Sequence, residues 1–116
     1  MLDRQESHMQ QNLSDTVVVT LDGEYDIARQ GELDEALAPA YGASVAILDL
    51  RAVSYMDSTA LTCLLRLKKR MAESGPGVVR LVAPQRPIVR LLDITRLDTV
   101  FDVYDSLDAA RRDLKA

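Results

Sequence analysis

A carboxylate and two hydroxyls stand in a row at Asp57-Ser58-Thr59, inside the run Ser54-Tyr55-Met56-Asp57-Ser58-Thr59-Ala60-Leu61. An acid and hydroxyls just ahead of an apolar helical pattern suit a helix start, where a side-chain oxygen accepts from a backbone N–H that has no partner within the helix. A hydroxyl in that position is also a tolerable phosphate acceptor, because the positive end of the helix dipole favours added negative charge. On local chemistry alone two readings stand: Asp57 and Ser58 as simple caps, or Ser58 as a modifiable group.

Other chemistry is poorly served. His8 is the only histidine, so a Ser-His-Asp arrangement would rest its base on an N-terminal tail. The five glycines are scattered and none is followed by Lys-Ser or Lys-Thr, which leaves no phosphate-cradling loop and disfavours a nucleotide-binding module. Cys63 is the only cysteine, so no internal disulfide framework or multi-cysteine metal site is available. It reads as a small buried hydrophobe on a helix, since a redox role would need exposure and a lowered pKa. Asp49 lacks a neighbouring acidic cluster and is expected to be a solvated aspartate at the end of a strand, not a metal ligand or phosphoacceptor. The expectation is a non-enzymatic protein with no cofactor and no metal.

Composition narrows the partners. Fourteen lysines and arginines against 18 acids give a net charge of −4, the wrong sign for a protein that binds nucleic acid through its phosphates. The longest purely apolar runs are a few residues, well short of the roughly 20 that a membrane-spanning helix needs. The N-terminus is polar and unlike a signal peptide, so a cytoplasmic location is expected.

The elements that must position Ser58 follow from hydrophobic periodicity. Thr16-Val17-Val18-Val19-Thr20-Leu21 predicts a strand ending in a turn at Asp22-Gly23. Leu33, Ala36, Leu37, Ala40 and Tyr41 fall on one helix face, with Pro39 shortening its last turn. Val45-Ala46-Ile47-Leu48-Asp49-Leu50 is nearly continuous in apolar character, as a strand covered on both faces would be, and residues 51–56 read as a loop. The next helix spans 58–74, capped by Asp57, with Leu61, Leu64, Leu65, Met71 and Ala72 as its inward stripe, flanked by Ala60 and Leu67. Arg66, Lys68, Lys69 and Arg70 crowd its end and Gly75-Pro76 stops it. A strand at Val78-Val79-Arg80-Leu81-Val82 precedes a short helix opened by Pro87 and presenting Ile88, Leu91 and Leu92. Val100-Phe101-Asp102-Val103 is the last strand, and Ser106 caps a terminal helix with Leu107, Ala110 and Leu114 aligned.

Alternating strands and helices of this kind give an α/β fold: one domain over 1–116 with a mainly parallel sheet and about four helices. Residues 1–12 are expected to be either a flexible tail or one extra N-terminal edge strand.

An ordered set of short motifs along this frame resembles the STAS family of bacterial anti-sigma factor antagonists. It comprises Asp22-Gly23-Glu24-Tyr25-Asp26, Val45-Ala46-Ile47-Leu48-Asp49-Leu50, Tyr55-Met56-Asp57-Ser58-Thr59-Ala60-Leu61, Ile94-Thr95-Arg96-Leu97-Asp98-Thr99-Val100-Phe101, and Val103-Tyr104-Asp105-Ser106. The resemblance implies that Ser58 is the phosphoacceptor and that Glu24, Asp26, Tyr55, Met56, Asp57, Ser58 and Thr59 form a partner-binding surface. It implies as partners an anti-sigma factor that is a histidine-kinase-like serine kinase and a serine phosphatase, with the antagonist itself a monomer or weak dimer. The alternative within the family is a scaffold or accessory subunit of a stress-sensing or lipid-transport assembly, in which Ser58 is an ordinary cap. Ala60 departs from the family's usual glycine. Alanine is the better helix former by about 1 kcal/mol, and its methyl is expected to crowd an approaching partner.

Overall fold

A computed structural model describes residues 15–82 and 84–112. Four strands, β1 (Thr16–Tyr25), β2 (Val45–Met56), β3 (Val78–Val82) and β4 (Asp102–Tyr104), form one sheet in the order β1-β2-β3-β4. Every pairing between them is parallel, as the alternating pattern predicts. Four helices connect or follow the strands: α1 (Gln30–Leu37), α2 (Ser58–Ser74), α3 (Arg86–Ile94) and α4 (Leu107–Arg112). The extra edge strand expected within residues 1–12, and Leu114, lie outside the described residues.

The sheet is covered on both faces, and β2 shows why its sequence is apolar without alternation. Ala46, Leu48 and Leu50 point into the main core with Leu33, Leu37, Leu64, Leu67 and Met71 from α1 and α2, and Ile88 and Leu92 from α3. Ile47 points the other way, into a smaller cluster with Val82 and Ala110 that Leu107 of α4 helps to close. A strand buried on both sides has no polar face to show in its sequence.

Two expectations about strand ends fail for one reason. β1 continues through Asp22-Gly23 to Tyr25, and β2 continues through 51–56, where a turn and a loop were expected. Between them the register shifts twice, with Asp22 opposite Ala52 and then Glu24 opposite Tyr55, so that β2 bulges around β1. Gly23 takes a φ of +80°, which a side-chain-bearing residue rarely adopts. Bulges of this sort break the period-two pattern while keeping the strands paired, and here they turn Val53 and Met56 into the core.

The bulge also corrects Asp49. It sits inside β2, 6% exposed, with Arg51 Nε 2.9 Å from its Oδ1 and Arg51 Nη2 2.7 Å from its Oδ2. The Arg51 hydrogen bonds hold its carboxyl below the ordinary value, against the opposing effect of burial. It is a paired structural charge, not a solvated strand end.

α2 begins and ends where predicted, but its buried arc is Ala60, Leu61, Cys63, Leu64, Leu67 and Met71. Leu65 is 38% exposed and Ala72 is also exposed. The inward stripe centres on Leu64, Leu67 and Met71, and at 3.6 residues per turn Leu65 and Ala72 fall at its margin. The cations assigned to the helix end sit a turn earlier, on neighbours: Arg66 3.6 Å from Asp34, Lys68 Nζ 2.7 Å from the Gly77 carbonyl, and Arg70 over the Tyr41 ring. Leu91 of α3 is half-buried, and the last strand is shifted to 102–104 because residues 97–99 form a 3-10 turn. Ser106 Oγ accepts from the Ala109 N–H at 3.0 Å, the cap expected for α4.

Candidate functional site

Parallel pairing brings the carboxyl ends of β1 and β2 out side by side, the place where open α/β sheets usually meet their ligands. Glu24 lies opposite Tyr55, Tyr25 lies opposite Met56, and the Asp57 N–H donates to the Tyr25 carbonyl at 3.1 Å. The Asp22-Gly23-Glu24-Tyr25-Asp26 run and the Tyr55-Met56-Asp57-Ser58-Thr59 run, distant in sequence, thus form one edge.

At the start of α2 the two readings of the sequence separate. Asp57 has extended backbone and its Oδ1 accepts from the Ala60 N–H at 3.0 Å, while its carbonyl accepts from the Leu61 N–H. Asp57 is therefore the cap. Ser58 is the first helical residue, and it is exposed. Its carbonyl accepts from Thr62 Oγ1 at 2.9 Å, but its hydroxyl has no hydrogen-bond partner among the described residues. The N–H groups of Ser58 and Thr59 precede the first intrahelical bond, so the hydroxyl stands beside unfilled donors at the positive end of the helix.

The remaining predicted site residues divide by exposure. Glu24, Asp26 and Tyr55 are exposed, Tyr55 at 49%. Asp57 and Thr59 are half-buried. Met56 is 3% exposed and packs in the core, so it supports the edge from beneath and offers no surface of its own. Ala60 is 2% exposed in the same core cluster, so its methyl fills the interior and does not crowd an approaching molecule, contrary to expectation. Asp26 Oδ1 accepts from the Ala28 N–H at 2.9 Å and caps a 3-10 turn over 27–29.

Two residues of this edge were missed from the sequence. Arg29 Nη1 donates to the carbonyls of Asp22 at 3.1 Å and Glu24 at 2.9 Å, its guanidinium lies 4.2 Å from the Tyr25 ring centre, and it pairs with Glu32. This clamp holds the bulged end of β1, and the paired guanidinium holds the Glu32 carboxyl below its ordinary value. The readable signal was the Arg-x-x-Glu spacing, one helical turn apart, directly after the acidic turn. Ile27, 71% exposed, adds an apolar side chain to the same edge.

Cys63 lies on the buried face of α2 at 2% exposure, and burial pushes its thiol above the ordinary value, the environment of an inert cysteine. Among the described residues no group of three or more His, Cys, Asp or Glu is placed to hold a metal ion, and no helix is long and apolar enough to cross a membrane.

Comparisons with known proteins agree with this architecture. Against the anti-sigma-B factor antagonist of Bacillus subtilis the chain is 35% identical over 97 residues, covering 82% of this chain and 86% of that protein. A Thermotoga maritima protein provisionally named as an anti-sigma factor antagonist is 31% identical over 68 residues, a match that spans 59% of each chain. The crystal structure of an anti-sigma factor antagonist from Mycobacterium paratuberculosis superposes with a TM-score of 0.75 at 27% identity, covering 88% of this chain and 87% of that one. The family model for the STAS domain matches residues 8–110, a stretch that takes in all four strands, the bulged edge and the start of α2. The chain belongs to the STAS domain family.

Proposed function

We propose that this protein is an anti-sigma factor antagonist whose unphosphorylated form binds an anti-sigma factor kinase at the β1–β2 edge and is switched off by phosphorylation of Ser58. The observation that carries the reading is the division of labour at the start of α2. Asp57 supplies the cap at 3.0 Å, and the exposed Ser58 hydroxyl is left with no structural task among the described residues.

The mechanism is electrostatic and steric. A phosphoryl group on Ser58 adds about −1.5 to −2 charges at a helix N-terminus that accommodates them, so the fold is retained. A partner surface packed over Ile27, Tyr55 and Ser58 would meet a hydrated dianion beside the Asp57 carboxylate, and burying that charge without a counterion is costly. Release of the kinase follows, and a serine phosphatase restores the binding form. With Glu24 and Asp26 exposed on the same edge, the surface that fits best is basic around an apolar centre.

The test is to incubate the protein with its cognate kinase and ATP, follow intact mass, and map the modified residue. One phosphate on Ser58 and none on Thr59 is expected. Phosphate on Thr59, or no transfer from a kinase that binds the protein, overturns the assignment.

A further inference from the structure

Among the described strands β1 is paired with β2 alone, so the last residues of β1 have a strand on one side only. On the other side Arg29 supplies the donors. Its Nη1 donates to the carbonyls of Asp22 and Glu24 at 3.1 and 2.9 Å, while its Nε and Nη2 are held by the Glu32 carboxylate at 3.2 and 2.5 Å. The guanidinium also packs over Gly23, where a Cβ would come within 3.0 Å of Nη1. The glycine that permits a φ of +80° therefore also makes room for the clamp.

Two short paths lead from this clamp to residues that a partner would touch. Along the first, the guanidinium lies 4.2 Å from the Tyr25 ring centre, the Tyr25 carbonyl accepts from the Asp57 N–H at 3.1 Å, and Asp57 caps the helix that begins at Ser58. Along the second, the Arg29 N–H donates to the Asp26 carbonyl at 3.0 Å and Asp26 Oδ1 accepts from the Ala28 N–H at 2.9 Å, which closes a turn around Ile27. Ile27 is 71% exposed, so its position is set by this turn and not by burial. An edge loosened at these points would have to be ordered again whenever a partner docks, and that cost falls on binding.

We propose that Arg29 is a positioning residue of the switch: it holds Ile27 and the Asp57-Ser58 helix start in the arrangement that the kinase reads, so that kinase affinity depends on a side chain the kinase need not touch. The inference rests on the function proposed above and adds to it the element that sets partner affinity. Geometry is what the role needs, since a guanidinium spans two carbonyls, a carboxylate and a ring at once, whereas an ammonium is a point charge without a planar fork.

Arg29→Met and Arg29→Lys test this beside Arg80→Met, which removes a charged donor, Arg80 Nη1, from the Ala110 carbonyl of α4, outside the β1–β2 edge. Circular dichroism fixes a temperature at which every variant is folded. With the cognate kinase and ATP, Arg29→Met is expected to raise the KM for the protein at least about tenfold and to leave kcat within about twofold, because the Ser58 hydroxyl itself is untouched. Arg29→Lys is expected to follow Arg29→Met, and Arg80→Met to keep both constants. Without the kinase, amide hydrogen exchange at Asp57 is expected to quicken in Arg29→Met and not in Arg80→Met. The inference is overturned if the KM of Arg29→Met matches that of the unmodified chain, if Arg29→Lys restores it, if kcat falls in place of affinity, or if exchange at Asp57 is the same in Arg29→Met as in Arg80→Met. An unmodified chain that takes no phosphate overturns the proposed function instead, and the exchange comparison still decides whether Arg29 holds the start of α2.

Discussion

Removing one side chain at a time from the start of α2 separates a cap from a switch. Asp57→Ala deletes the acceptor of the 3.0 Å bond from the Ala60 N–H and leaves that donor without a partner. Losses of this kind cost about 1 kcal/mol, within a range of about 0.5–2 kcal/mol. For a domain near 100 residues each kcal/mol lowers Tm by about 4–8 °C, so Asp57→Ala is expected to melt about 4–8 °C below the unmodified protein. Ser58→Ala deletes an exposed hydroxyl with no partner among the described residues, and surface changes of that type stay within about 0.5 kcal/mol, or about 2–4 °C in either direction. Thermal unfolding followed by far-UV circular dichroism, with both variants measured side by side at one protein concentration, gives the comparison. If Ser58→Ala loses as much as Asp57→Ala, the serine hydroxyl is structural and the reasoning fails.

Two further changes probe the frame around the site. Gly77 has a φ of +65°, and a Cβ there would lie 2.8 Å from the Ala72 Cβ and 2.9 Å from the Ala72 Cα. Gly77→Ala therefore combines backbone strain of about 1–2 kcal/mol with a collision against α2, and its Tm is expected to fall by at least about 4 °C. The Asp49 carboxyl is held below its unfolded value of 3.8 by Arg51, so its pairing adds stability above that value, and the contribution fades as pH falls through the lower folded value. Asp49→Asn is expected to flatten the acid limb of a denaturation series taken below about pH 4, and an acid limb as steep as the unmodified protein's would contradict the pairing.

The sequence carried the frame well where burial is uniform. Val45-Ala46-Ile47-Leu48 read as a doubly covered strand because both of its faces are apolar, and α2 read correctly from Asp57 to Gly75 because its cap and stop are both local signals. What was misread lies where a local signal was overruled by pairing. Asp22-Gly23 has turn chemistry, and Arg51, Ser54 and Tyr55 have loop polarity, yet the β1–β2 ladder runs through both by way of bulges. Ser58, Glu24 and Asp26 were proposed as site residues through the resemblance to the STAS family. Arg29 was not: its Arg-x-x-Glu spacing signals the pair with Glu32, but not its reach back to two carbonyls across a bulge that no periodicity reveals. Met56 was counted as surface for the same reason: in a loop it would be exposed, whereas the bulged strand turns it into the core.

Kinase affinity measured by titration calorimetry, for the same preparation before and after phosphorylation, tests the central claim most directly. The unmodified protein and Ser58→Ala are expected to bind alike. The Ser58 phosphoprotein and Ser58→Asp are expected to remain folded and to lose at least about a hundredfold in affinity, the scale set by burying an uncompensated charge at about 3 kcal/mol. Tight binding by the folded Ser58 phosphoprotein would contradict the account.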